Sequence, residues 1–189
     1  MKLPFFQNYD FIIIPGIGNS DEKHWQSKWE NFFSNAHRIV VSNWDEPDRK
    51  EWETALGDLL GGLENGRKKV LIAHSLGCLL VHHYFFENQI HQNHVAAILL
   101  VAPPNPKSSA FPAQAAGFSN LTRIKLVPPA LILASENDPY AEIDFSKQLA
   151  SDWGAEFKSI GKKGHVNSQS NLGKWLGGVT RLFLFLWRL

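Results

Sequence analysis

Ser75 stands in the segment Val70-Leu71-Ile72-Ala73-His74-Ser75-Leu76-Gly77-Cys78-Leu79, where a buried-strand pattern meets an apolar helical pattern. A serine in a strand–turn–helix context, with small residues two before and two after it, fits the Gly-x-Ser-x-Gly nucleophile turn. Ala73 and Gly77 are those small residues. Alanine for the first glycine is the smallest departure from that pattern. The turn lifts the serine Oγ above the sheet and sets it at a helix N-terminus, where backbone N–H groups favour nearby negative charge. A serine after a strand is also an ordinary helix N-cap. What separates the two readings is a base, because an unassisted hydroxyl is a poor nucleophile.

His165, in Gly164-His165-Val166-Asn167, follows the last predicted strand and precedes the last predicted helix. Asp138, in Ser135-Glu136-Asn137-Asp138-Pro139-Tyr140, follows the strand before that, with Glu136 as the alternative acid. The chain order serine, acid, histidine is that of α/β-hydrolases. In this reading Asp138 holds His165 in the productive tautomer and stabilises its imidazolium. The oxyanion donors are the backbone N–H of Leu76 and that of Ile17, in the loop Pro15-Gly16-Ile17-Gly18. That glycine loop has Asp21 where a dinucleotide site needs a third glycine, and it lacks a phosphate-loop lysine. Trp25, Trp44 and Phe111 are candidate pocket residues, each equally readable as core. Cys78 reads as a small core residue. His74 should point away from the site, and His82, His83, His91 and His94 should mostly meet solvent. No zinc-type spacing joins them, so neither a metal nor a cofactor is expected.

The elements that must position these residues alternate. Strands are predicted at 11–15, 38–42, 69–73, 95–102, 130–135 and 156–160. Helices are predicted from Asn19-Ser20 through Phe33, then at 48–60, 76–88, 141–151 and from about Asn171 to Trp187. A short helix is expected near 110–116. Trp25, Trp29, Phe32 and Phe33 form one apolar stripe on the first helix. Strands alternating with helices predict about six parallel strands covered on both faces, a three-layer sandwich. Ligands bind such sheets at the strands' carboxyl ends, and every candidate above falls there.

The 189 residues suit one domain, 1–189. Nineteen Lys and Arg against 18 Asp and Glu leave a net charge of +1, so a nucleic-acid partner is not expected. One cysteine precludes an internal disulfide and suggests a reducing, cytoplasmic setting. Residues 1–10 do not read as a signal peptide, and no apolar run is long enough to span a bilayer.

Several motifs together resemble the small serine hydrolases related to YdeN and retinoblastoma-binding protein nine. They are Pro15-Gly16-Ile17-Gly18-Asn19-Ser20, His24-Trp25, Trp29-Glu30, Trp44-Asp45-Glu46-Pro47 with Trp52, and Ala73-His74-Ser75-Leu76-Gly77-Cys78. Val101-Ala102-Pro103-Pro104, Asp138-Pro139-Tyr140 and Gly164-His165-Val166-Asn167 complete the set. The resemblance spans nearly the whole chain. It implies a minimal α/β-hydrolase fold without a large lid, and a triad at Ser75, Asp138 and His165. The expected activity is cleavage of a small carboxylic ester or thioester, or an amide, through an acyl-enzyme. The alternatives are an acyltransferase using the same triad and a non-catalytic interaction module with a protein partner. A histidine base predicts activity that rises with pH along one limb. Residues 104–127, after a strand end, are a candidate small lid.

Overall fold

The structure is a computed structural model and describes residues 4–63, 66–88 and 95–189. Six strands form one parallel sheet: β1 (Tyr9–Ile14), β2 (Ala36–Arg38), β3 (Lys68–His74), β4 (Val95–Val101), β5 (Ala130–Ala134) and β6 (Glu156–Ser159). Their order across the sheet is β2-β1-β3-β4-β5-β6, so β3, the strand that leads into Ser75, lies at the sheet's centre. Five helices cover it: α1 (Trp25–Phe32), α2 (Arg49–Gly62), α3 (Leu76–Glu87), α4 (Ile143–Trp153) and α5 (Leu176–Trp187). This is the three-layer α/β-hydrolase architecture in minimal form.

Strand alternation divides the core into two layers. Ile12, Ile14, Leu71 and Ala73 face α2, α3 and α4, whereas Phe11, Ile13, Val70 and Ile72 face α1 and α5. Helix α3 is apolar on all sides and buried along most of its length, as a helix behind a central strand must be.

Four boundaries differ from the sequence expectation, each for a local reason. Helix α1 starts at Trp25, because Asn19 adopts φ 62° and its side chain is engaged by Ser20 N–H and Arg38. His24 serves as the N-cap instead, its Nδ1 accepting from Gln26 N–H. Helix α5 starts at Leu176, because Trp175 takes φ 39° and lays its ring against Gly178. Strand β2 ends at Arg38; beyond it Ile39 and Val41 still turn inward, with Val40 82% exposed between them. Helix α2 runs through Gly61-Gly62 rather than stopping before them. On α1, Phe33 is buried but Phe32 reaches solvent, so the stripe is narrower than predicted.

His82 and His83 are a larger correction, since both are buried rather than solvated. The segment after β4, with its 3-10 helix Ala113–Phe118, folds back over α3 and covers them. His82 Nε2 donates to the Thr122 carbonyl at 2.8 Å and His83 Nε2 to the Phe118 carbonyl at 3.0 Å. His91 and His94 lie outside the described residues.

Burial pushes the His82 imidazole down to about 4, because a charged ring would lose its hydration there. The unfolded chain therefore binds the extra proton first as pH falls. Stability on this account is full above the ordinary imidazole value of 6.5 and declines as pH drops toward 4. Urea unfolding at a series of pH values should show that decline. His82→Gln keeps a donor for Thr122 and should lower the slope by about 1.4 kcal/mol per pH unit within the window; an unchanged slope would contradict a neutral, buried His82.

Candidate active site

Ser75 holds φ 52° and ψ −124° between β3 and α3. A non-glycine residue keeps such a conformation only when its surroundings over-determine it. Here Ser75 N–H donates to the Val101 carbonyl at 3.0 Å, tying the turn to β4. A Cβ on Gly77 would stand 2.5 Å from the Ile14 carbonyl oxygen and 2.6 Å from that of Pro15. The first turn of α3 therefore sits directly on the end of β1. A Cβ on Gly16 would stand 2.8 Å from the Ser75 Cβ and 3.3 Å from the Leu76 nitrogen. The loop carrying Ile17 is thereby brought against the turn carrying Ser75 and Leu76.

His165 Nε2 lies 2.7 Å from Ser75 Oγ, so the serine hydroxyl donates to the ring. On its other side, His165 Nδ1–H donates to Asp138 at 2.9 and 3.0 Å. The Asp138 side chain is 3% exposed and also accepts from Tyr140 N–H at 2.9 Å. Glu136 is elsewhere, accepting from the Ser159 hydroxyl. Asn137 joins the two loops, since its Oδ1 accepts from the Ser135 hydroxyl and from Gly164 N–H.

The chain around His165 is held from below. His74 Nε2 donates to the His165 carbonyl at 2.9 Å, and Trp25 Nε1 donates to the Val166 carbonyl at 2.8 Å. Val166 itself sits at φ 55°, an unfavourable place for a β-branched residue. Two aromatic N–H groups thus pin successive carbonyls where the backbone is under strain. Under His74 lies His24, with ring centroids 4.8 Å apart, and its imidazole is pushed down to about 4 by burial. His74 is held well below its ordinary value by burial and by its neighbours His24 and His165. Both inner rings are therefore neutral at physiological pH, and His74 can donate from Nε2.

Gln26, fully buried, completes this support. Its Nε2 donates to the Ile14 and Ile72 carbonyls at the carboxyl ends of β1 and β3, and its Oε1 accepts from Ser20. Arg38 fixes the same loop through Asn19 Oδ1, the Ser20 carbonyl and Glu30.

A cavity of about 450 Å³ opens above Ser75. Gly16, Ile17 and Leu76 line it beside the serine, and no turn or loop hydrogen bond among the described residues engages the N–H of Ile17 or Leu76. Pro104, Phe111 and Pro112 extend an apolar lining on the α2–α3 side. Asn19, Asp21, Asn167 and Ser168 give a polar lining at the head of α1 and the loop before α5.

The family model described as serine hydrolase matches residues 11–183. The chain belongs to that family. Among solved structures this serine hydrolase is similar to a protein described as a YdeN-like hydrolase from Pectobacterium atrosepticum. The two are 30% identical with a TM-score of 0.82, over 95% of this chain and 91% of that one. The ydeN gene product of Bacillus subtilis is 20% identical, with a TM-score of 0.76 over 96% and 99% of the chains. A thermophilic esterase from Thermogutta terrifontis shares the fold at 12% identity, with a TM-score of 0.65 over 93% and 89%. No curated protein matches the chain.

Of the predicted pocket residues, Phe111 lines the cavity of this serine hydrolase, but Trp25 and Trp44 do not. Trp25 is 1% exposed beneath the His165 loop, and Trp44 packs edge-on against Trp52. Cys78 is buried, and burial pushes its thiol up, so it offers no thiolate. Sequence reasoning gave no role to Gln26 or His24, and it expected His74 to point away from the site, where His74 instead holds the His165 carbonyl and lines the cavity. The available signal was a polar residue within an apolar stripe at Gln26, and a histidine inside the nucleophile turn itself.

Removing one donor to the His165 loop should loosen the imidazole without unfolding the protein. His74→Ala and Trp25→Phe should each slow fluorophosphonate labelling of Ser75 about tenfold, as befits a lost hydrogen bond of about 1.4 kcal/mol. The double variant should lose less than the product of the two, because both donors act on one loop. Labelling at the wild-type rate in either variant would show that the loop needs no such support.

Proposed function

We propose that this serine hydrolase cleaves small carboxylic esters or thioesters through an acyl-enzyme on Ser75. The observation that carries the proposal is the hydrogen-bonded chain from Ser75 Oγ through His165 to the buried Asp138. In this scheme the hydroxyl proton passes to His165 Nε2 as Oγ attacks the substrate carbonyl carbon. Asp138 keeps the other ring nitrogen protonated and stabilises the imidazolium. The N–H groups of Leu76 and Ile17 receive the developing oxyanion, each worth roughly 3 kcal/mol in the transition state. His165 then gives its proton to the leaving oxygen or sulfur as the bond to carbon breaks. Water, activated by the same ring, releases the acid and restores Ser75. No cofactor enters the scheme, and the ligand is a small molecule.

Residues 104–127 act, on this reading, as one wall of the site rather than a mobile cover. Ala115 and Phe118 are fully buried in the core, and Leu126 N–H bonds to the Trp153 carbonyl. No helix among the described residues is long and apolar enough to cross a membrane. A single cytoplasmic domain, 1–189, is part of the same proposal, supported by the one sheet and the buried free thiol.

Intact-mass analysis after fluorophosphonate treatment tests the mechanism. Wild type should gain one adduct and Ser75→Ala none. His165→Ala and Asp138→Asn should each lose about three to four orders of magnitude in ester turnover. A folded wild type that takes no adduct would overturn the hydrolase scheme and leave the interaction-module reading.

A further inference from the structure

Resting on the hydrolase reading above, we propose that the leaving group of the preferred substrate is a cationic alcohol, an alkylammonium alcohol seated against Asp21. The argument starts from the proton. Whatever leaves must take a proton from His165 Nε2, so the leaving group lies on the His165 side of Ser75. Three residues beyond His165, Ser168 lines the cavity and its hydroxyl donates to Asp21 Oδ1 at 2.7 Å. Ser168 and Asp21 therefore line the cavity just beyond the residue that protonates the departing oxygen.

Asp21 is a prepared anion. Its Oδ1 accepts from Ser168 Oγ, from Lys23 N–H at 2.8 Å and from His24 N–H at 2.9 Å. Oδ2 takes part in none of these bonds. The three donors hold the carboxyl below its ordinary range, so it is ionised at neutral pH. Among the described residues, no lysine or arginine lines the cavity. Lys23 is exposed and does not line it, and His24, the nearest imidazole, is neutral. Among the described residues that line the cavity, Asp21 is the one carboxylate.

The opposite lining fits the other half of such a substrate. Ile17, Leu76, Phe111 and Pro112 offer an apolar surface for an uncharged acyl group. A cationic leaving group gains from Asp21, and an anionic one is repelled. Polyanionic thioester carriers are thereby disfavoured, which narrows the proposed activity toward esters. The bonds balance without a further reactant. Serine Oγ–carbon forms as carbon–oxygen breaks, the serine proton leaves with the alcohol through His165, and water supplies the atoms that release the acid.

Three butyrate esters test this at low ionic strength: butyrylcholine, its uncharged isostere 3,3-dimethylbutyl butyrate, and 3-carboxypropyl butyrate. Because Asp21 is exposed, the expected preference in kcat/KM for choline over its isostere is about fivefold. The carboxylate ester should be the poorest. Added salt should erode the preference, since exposed charges are screened. Asp21→Asn keeps the Oδ1 acceptor and removes the charge, and it should bring the choline and isostere esters to near parity. Ser168→Ala, which frees the carboxylate to swing, should reduce the preference in part. Parity in the wild type, a preference for the neutral or anionic ester, or a preference that survives Asp21→Asn would overturn the proposal. So would a Ser75 that takes a fluorophosphonate adduct but leaves butyrylcholine uncleaved. Absence of both adduct and ester cleavage overturns the hydrolase reading itself.

Discussion

Three stretches of backbone converge on Ser75 more closely than side chains permit. The first turn of α3 rests on the last carbonyls of β1, and the loop after β1 crosses in front of the serine. Each contact exists because the residue at the crossing has no Cβ: Gly77 beneath and Gly16 in front. Cores are packed to crystal-like density, so neither glycine has room to become anything larger without moving a strand or a helix. The position of the serine hydroxyl, the aim of the Leu76 and Ile17 N–H groups and the floor of the cavity all follow from this one crowding. The parallel sheet is what gathers it, because every β-to-α turn emerges at the same edge.

A second layer of order lies under the first, built from histidines in unlike roles. His24, His74 and His165 form a short row of inclined rings, with centroids 4.8 and 5.1 Å apart. Only the outermost meets the serine. The inner two are neutral because a low-dielectric interior penalises a charged ring. Neutrality suits them to serve as fixed donors and acceptors: His24 caps α1 and His74 holds a carbonyl. A protonated inner ring would place a cation beside the imidazole that accepts the proton in the proposed mechanism. The fold therefore keeps charge out of the support so that it can appear at the site.

Much of this arrangement was legible in the residues. Buried strands announce themselves as apolar runs, and Ala73, Ser75 and Gly77 mark a turn that few other roles require. The order of Ser75, Asp138 and His165 then placed three loops at one sheet edge before any geometry was known. What was not legible lies in long-range packing. His82 and His83 look like solvated helix residues until the segment after β4 is folded over them. Trp25 looks like a pocket aromatic until its indole N–H finds the Val166 carbonyl, 141 residues away. The helix start at Asn19 followed local capping chemistry and the one at Asn171 the helical pattern, but Asn19 and Trp175 occupy left-handed backbone that delays each helix. Local propensity was overruled in both places by a loop that has a tertiary duty.

Ser75, Ala102 and Val166 share an uncommon property: each is a non-glycine residue with φ between 52° and 55°. All three belong to the sheet edge that carries the site, Ser75 after β3, Ala102 after β4 and Val166 beside His165. Glycine would relax the backbone at every one of them. At Ser75 that same relaxation would erase the proposed nucleophile. Adaptation toward heat tolerance alone would therefore drive this edge toward an inert protein, sturdier than its parent and silent. Among variants recovered by a purely thermal screen, replacements at this edge should be read first as losses of chemistry, whatever they add to the melting temperature.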